Sequence, residues 1–535
     1  MPKPSSPDDL SSATNHIKET HPAALPRPEG DSLDTPPARM QPDLTESLNR
    51  AARVASIPNE ILSAIFEAGC RLPQLQPSDS SSEVDEWEPP FEILVSQVTR
   101  HWRNVALATP SLWTQIYISD HDCLGIVTAY LTRSGCLPLD VEVEMRRPPR
   151  HHNGDPKLPS TRSIIATIAP HVARCRRLCI HCDRPRRHLS ALLRCLHSIT
   201  CPFLEFIQVS FSAISNDYDD GDEDYWQEEE EDDERDRSEN IREILAGGAP
   251  SLKTIQLKGI NLPFCLPPLA SVTTLHMHCN SFMTITLQSC AAICSIFTSC
   301  PALTHLVLHG WFIKYSTIRS ASTVAFPLLS SLRILSTKSH TSLLEFLSLV
   351  SAPLLECLSF GQVAVESVEE VLKTQEWITT SPRYPRLHYL SVMPMLNAWH
   401  PFTPSTWKLI EQSFNTVTHL TVLDDGIASF SESLCRVHST DSTWSPSTDV
   451  SWPNLKTLSL GGIQFPNDIE PFVEALSARV VMGRPLQKLH IPKQPGVGDG
   501  DFRDAFVRFQ RYTEVEEYKP KRWPLGDFSD WYDGD

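Results

Sequence analysis

No Asn-x-Ser/Thr sequon occurs in the 535 residues, and no apolar run reaches the roughly 18 residues that a membrane-spanning helix needs. Met1 to Asn49 is rich in proline, serine and charge and lacks the apolar core of a secretory leader, so a disordered segment is expected there. The 15 cysteines are scattered without a pairing frame, which fits a reducing cytoplasmic or nuclear compartment rather than a disulfide scaffold. Gly-x-Ser-x-Gly, His-Glu-x-x-His and Walker sequences are all missing, and with them the usual marks of a hydrolase, a zinc protease or a nucleotide cradle. Gly496-Val497-Gly498-Asp499-Gly500 has no strand before it and reads as a plain loop.

Basic character is also scarce. The formal charge is −18, but it is unevenly placed. Asp217 to Glu239 holds 15 acidic residues against Arg235 and Arg237, leaving 50 acidic and 45 basic residues elsewhere. A broad nucleic-acid-binding surface is therefore not expected. The acidic block (215–239) reads as a solvated, disordered insertion, with docking of a basic partner as the other reading. The clusters Arg146-Arg147 to Arg150 and Arg184 to Arg187 read as surface solvation.

Cys175, Cys179, Cys182, His181 and His188 crowd together in a way that raises zinc. Cys175 and Cys182 also fall on the inward alternation of a strand, so buried thiols are the better account. Cys290, Cys294 and Cys300 sit where a helix and its end take small apolar residues. His276, His278, His305 and His309 have no nucleophile beside them in sequence. Neither a metal nor a cofactor is expected, and an enzyme is not indicated.

Two segments are rich in structure. In the first, Ile57, Ile61, Leu62, Ile65 and Phe66 follow helical spacing, with Pro58 and Glu60 suited to a helix start. Leu94, Val98, Trp102 and Val105 predict a second helix, which Pro110 ends. The stretch resembles the F-box, whose pattern is Leu-Pro-x-Glu-Ile-Leu, Ile-Phe, then Val-Cys-Arg-x-Trp-Arg, then Pro-x-Leu-Trp. Here Ile57 takes the place of the opening leucine and Thr99 that of the cysteine. The polar connection from Cys70 to Pro90 is long for the family, a length similar to that in F-box proteins of mushroom-forming fungi.

The second is a recurring phrase, often a proline followed by Leu-x-x-Leu-x-Leu. Clear copies run from Leu204, Leu252, Val272, Leu303, Leu329, Leu355, Leu387, Val417, Leu455 and Leu486, with Cys175 opening the series. These anchors are separated by 48, 20, 31, 26, 26, 32, 30, 38 and 31 residues. The longest interval holds the acidic block; the others sit near the period of leucine-rich repeats. The last two apolar positions of each phrase alternate as a short strand, and spacers such as His188 to Ile199 and Leu343 to Val350 carry helical apolar spacing. The expected fold is thus α/β: a small helical module at 50–118, an irregular leucine-rich-repeat-like solenoid with a parallel sheet at 119–498, and a closing helix and tail at 499–535. Most copies lack the asparagine that ladders the turn; Asn280 is its clearest survivor.

The resemblance implies an adaptor of an SCF-type cullin–RING ubiquitin ligase. Its helical motif would dock on a Skp-type adaptor through Ile57, Pro58, Ile61, Leu62, Ile65, Val98 and Trp102, while the repeats capture a protein substrate. Trp113 would anchor the motif to the first repeat. Substrate capture is expected on the outward column of the strands: Gln256, His276, Val307, Arg333, Ser359, Ser391, Thr421, Ser459 and His490. A repeat scaffold that engages no ligase and a metal enzyme built on the Cys175 to His188 cluster stay open as other classes. No nucleic-acid or membrane partner is expected.

Overall fold

The computed structural model describes residues 57–71, 89–119, 124–145, 161–183, 186–212, 243–260, 265–279, 290–310, 323–335, 342–363, 365–373, 383–394, 402–422, 427–435, 451–461, 469–492 and 499–518. The N-terminal segment 1–49, the connection 72–88, Arg146, Arg147, Arg150, Arg184, the acidic insertion 215–239, Asn280, Gly496, Gly498 and the tail from 519 lie outside the described residues.

The chain divides into two units, Met1–Leu62 and Ser63–Asp535. The described part of the first is Ile57, Pro58 and the opening of helix α1 (Asn59–Arg71). Glu60 lies in the first turn, and the Leu62 amide donates to the Pro58 carbonyl at 3.0 Å. This is the helix that the Ile57–Phe66 spacing predicts.

In the second unit, α1 is followed by α2 (Phe91–Val98) and α3 (Arg100–Leu107). One continuous helix was the expectation for Leu94 to Val105, and it is corrected here. Thr99 is extended (φ −145°, ψ 165°), and its hydroxyl accepts from the Trp102 amide at 3.1 Å. The hydroxyl at Thr99 caps a new helix, which outweighs the unbroken apolar spacing. Several contacts tie the helices together. Phe66 and Trp102 rings lie 5.1 Å apart, Ser111 donates to Glu67 at 2.6 Å, and the Ser63 and Thr109 hydroxyls are 2.7 Å apart. A methyl group at Gly69 would run into the Phe91 ring, so only glycine permits that approach. Trp113 is fully buried: its indole N–H donates to the Ala106 carbonyl at 3.0 Å, its ring meets Tyr130 edge-on at 5.0 Å, and the Arg133 guanidinium lies over it at 4.5 Å.

The strands follow in order: β1 (Gln115–Ser119), β2 (Leu139–Met145), β3 (Cys175–Cys182), β4 (Phe206–Phe211), β5 (Thr254–Lys258), β6 (Thr274–Cys279), β7 (His305–Gly310) and β8 (Val324–Ala325). Next come β9 (Ser331–Leu335), β10 (Val350–Ser351), β11 (Cys357–Val363), β12 (Tyr389–Pro394), β13 (His419–Val422), β14 (Thr457–Leu460), β15 (Lys488–Pro492) and β16 (Glu514–Tyr518). Fourteen of them form one sheet whose strand order is the chain order; β8 and β10 pair separately. Every strand pairing of the large sheet is parallel, as in βαβ units stacked along the chain.

The register explains why the phrase recurs. Its middle apolar residue occupies one unbroken row from Ile116, Val141, Leu178 and Ile207 through to Leu489 and Val515. A second row, two residues on, holds Ile118, Val143, Ile180, Val209, Leu257, Met277, Leu308 and Ile334. All of these are buried, as is every first anchor from Leu204 to Leu486. Val143, Leu178 and Ile180 line a small apolar cavity with Ile168, Leu192 and Leu196 from helices Thr161–Ile168 and Arg186–Leu196. That places these helices over the two apolar rows. Helices at Cys290–Thr298 and Ser342–Leu349 agree with their predicted spacers. The 20-residue interval between β5 and β6 holds no helix among the described residues, and Pro267-Pro268 would not support one.

Two boundaries are corrected. The repeats were expected from residue 119, with Cys175 first; β1 and β2 come earlier, and β1 lies inside the segment assigned to the helical module. Trp113 and Pro138 stand where later copies carry leucine three residues before the row, which hid both. At the other end, helix Asp499–Phe509 is present, but the chain then adds β16 alongside β15, so a strand rather than a helix ends the sheet. No helix among the described residues is long and apolar enough to cross a membrane.

Candidate functional site

Two surfaces hold the residues singled out in the sequence. On α1, Ile61 and Ile65 are 55% and 49% exposed; on α2, Leu94 and Val98 are 47% and 55% exposed. Pro58 is exposed and Ile57 half-buried. Leu62, at 1% exposure, is corrected as a docking residue: it belongs to the core and has no surface to offer. Trp102 is half-buried and packs against the Phe66 ring at a tilt, so much of it holds α3 in place. The helical period accounts for this split, since one step along α1 turns a side chain by about 100°.

The predicted column on the sheet is one register row. Gln256 pairs with His276, then Val307, Arg333, Ser359, Ser391, Thr421, Ser459 and His490 in unbroken succession. Its openness is corrected. Val307 and Ser391 are each 1% exposed, and His276, Arg333, Ser359 and Ser459 are buried; only Gln256, Thr421 and His490 are half-buried. Neighbouring strands lie about 4.8 Å apart, so each side chain is walled in by its row neighbours and by those two residues away on its own strand. Val307, for example, stands between His276 and Arg333 along the row and between His305 and His309 along the strand.

The row two residues later is closed over its middle, from His278 to Met393. Leu335 and Met393 flank Gly361 in register, and a methyl group added there would lie 2.7 Å and 3.0 Å from their side chains. The row two residues earlier is the open one. It runs Gln115, Asp140, Arg177, Phe206, Thr254, Thr274, His305, Ser331, Cys357, Tyr389, His419, Thr457, Lys488 and Glu514. Arg177 and Tyr389 are exposed and His305 and His419 half-buried. The Arg177 guanidinium covers the Phe206 ring at 4.5 Å, and the Tyr389 and His419 rings stack at 4.4 Å. The sequence signal for this row was present, as a polar residue near the start of most strands, but the alternation alone does not rank one outward row above another.

Imidazoles gather at the centre of the face. His278 and His309 stack at 4.0 Å with rings 10° from parallel. Burial, and then the Arg333 and His305 charges, push His276 down to about 4. Burial, then His278, Arg333 and Lys258, push His309 down to about 3. Both are neutral at physiological pH. At the N-terminal end, His181 lies 3.4 Å from Glu142 and 2.6 Å from the Ser210 hydroxyl, and the His181 contact holds the Glu142 carboxyl below its ordinary range.

Among the described residues no group of three or more His, Cys, Asp or Glu side chains is placed to hold a metal. Cys175 packs in the core with its thiol 3.7 Å from the His171 carbonyl, and burial pushes it up to about 12. Cys179 receives the Arg177 Nε–H at 3.3 Å, and His188 is 2.7 Å from the Thr161 hydroxyl. Cys294 and Cys300 are buried.

No family model matches the chain, and no curated protein matches it. Among solved structures, a structural-genomics target protein from Bacteroides fragilis aligns at 12% identity over 52% of this chain and 68% of that one, with a TM-score of 0.27. A superposition that loose bears on neither fold nor function.

Proposed function

We propose that the chain is a substrate-recognition adaptor of an SCF-type cullin–RING ubiquitin ligase. The helices that carry the F-box-like motif would dock on a Skp-type adaptor, and the parallel sheet would take up a protein substrate. One observation carries the reading: Ile61, Ile65, Leu94 and Val98 keep about half of their side chains in water on short helices whose other faces are packed. Large aliphatics left open in this way favour a protein partner. In this reading Ile57, Pro58, Ile61, Ile65 and Val98 meet the partner, and Leu62, Phe66, Val95 and Trp113 hold the fold. The chain performs no bond chemistry; it raises the substrate's effective concentration near a ubiquitin-loaded enzyme.

The test is co-expression with a Skp-type adaptor and co-purification over size exclusion. A stoichiometric complex supports the reading. A full chain that stays folded and alone overturns it in favour of a repeat scaffold that engages no ligase.

A further inference from the structure

Charge is segregated on the polar face of the sheet. Across the three register rows of that face, the carboxylates are Asp140, Glu142 and Glu144 on β2 and Glu514 and Glu516 on β16, at the two ends. From β3 to β15 the same rows hold none; they hold Arg177, Lys258, Arg333 and Lys488 together with seven histidines. For a chain of net charge −18 this is a reversal of sign on one face. The described ion pairs on the face lie near its ends, His181 with Glu142 and Lys488 and His490 with Glu516.

Burial and exposure divide the labour. Arg333 is buried and sets the field, since a charge in that low-dielectric layer is screened far less than one in water. Arg177 is exposed and Lys258 and His305 half-buried, so a ligand can reach them. Hydroxyls at Thr254 and Thr274 add donors between them. Arg177 and His305 share one register row, four strand steps or about 19 Å apart at about 4.8 Å per step, and Lys258 lies four residues, about 13 Å, further along β5; a path touching all three is about 33 Å, or about ten extended residues.

From this charge complementarity we propose that the sheet face binds an acidic peptide segment, laid across β3 to β7 with its anionic oxygens on Arg177, Lys258 and His305. The inference rests on the reading of the sheet as the substrate surface and names the substrate's class. Side-chain carboxylates and phosphoserines share the required chemistry. A nucleic acid is disfavoured because Arg177, Lys258, Arg333 and Lys488 are spread over β3, β5, β9 and β15, without the clustered basic stripe that a phosphate backbone calls for.

The experiment uses the full chain and fluorescence anisotropy with four labelled probes: a glutamate-rich peptide, its glutamine counterpart, a phosphoserine version and a single-stranded oligonucleotide. At least one acidic peptide is expected to bind about tenfold or more tighter than the glutamine one, more weakly at high salt. Which acidic probe binds better identifies the anion. Lys258→Glu with His305→Glu is expected to abolish the preference; Arg177→Glu, at an exposed position, gives the same readout should the double variant fail to fold. Equal binding of acidic and glutamine peptides, unchanged binding by a folded variant, or tighter binding of the oligonucleotide would each overturn the proposal. Adaptor co-purification is scored separately, so acidic-peptide binding without adaptor binding defeats the ligase reading alone, and the converse defeats only this one.

Discussion

Replacing Ile61 and Ile65 together by aspartate separates docking from folding. Each leaves about half of its side chain in water, and full burial of such a side chain contributes about 1.5–3 kcal/mol. Covering the open half of each therefore contributes about 1 kcal/mol, and the pair about 2 kcal/mol, roughly thirtyfold in Kd. The substitution also forces two carboxylates into an apolar contact at a cost of several kcal/mol more. The combined loss should exceed about a thousandfold. In the free protein the new carboxylates stay hydrated, and the lower helix propensity costs only a few tenths of a kcal/mol. Leu62 must be left alone, because Leu62→Asp would bury a charge in the core and unfold the helices whatever their partner. Isothermal titration with a purified Skp-type adaptor gives the affinity, and urea unfolding gives the stability. Binding by Ile61→Asp/Ile65→Asp within about threefold of the parent would refute the reasoning. So would a Leu62→Ala variant that keeps its stability and loses binding.

Three further outcomes test the fold. Arg479 is fully buried and donates to the Ser451, Trp452 and Leu455 carbonyls at 2.5, 3.2 and 3.4 Å, with burial holding its guanidinium down at about 10. Arg479→Leu should lower urea stability by about 3 kcal/mol or more, since each orphaned buried group costs about 1–3 kcal/mol; a loss under about 1 kcal/mol would mean the carbonyls find other donors. His276 and His309 bind a proton near 6.5 when unfolded but only near 4 and 3 when folded. Between those values the unfolded chain holds more protons, so stability falls as pH drops below about 6.5, by about 1 kcal/mol per pH unit for each histidine. Urea midpoints against pH should show this slope, and His276→Gln with His309→Gln should flatten it. Gly361→Val should cost about 1–3 kcal/mol through overlap with Leu335 and Met393, and Leu335→Ala in the same chain should recover part of the loss.

The repeat was legible because a parallel stack imposes one register: the apolar residue that recurs three places after each anchor had to fall in one row, and it does from Leu178 to Leu489. The first and last strands were hidden because Trp113, Pro138 and Tyr512 stand at the anchor position, where no leucine marks it. The break between α2 and α3 turned on one hydroxyl at Thr99, a local capping preference set against a longer apolar pattern. The polar column was placed correctly along the strands, yet its burial was illegible. Exposure depends on which neighbours overtop a residue, and those come from strands about 30 residues away in sequence. Leu62 shows the same limit on a helix, since spacing names the apolar stripe but not which part of it a neighbour covers.

The terminal strand β16 pairs with β15 on one side, and its Glu514, Glu516 and Glu517 side chains are all exposed. An unpaired strand edge is a template for a second molecule. A second copy meeting this edge through its own β16 would bring three more carboxylates against these three, and like charges directly opposite one another are unfavourable. Pairing of two copies through their carboxy-terminal borders is therefore opposed, and neutralising those glutamates would remove that repulsion.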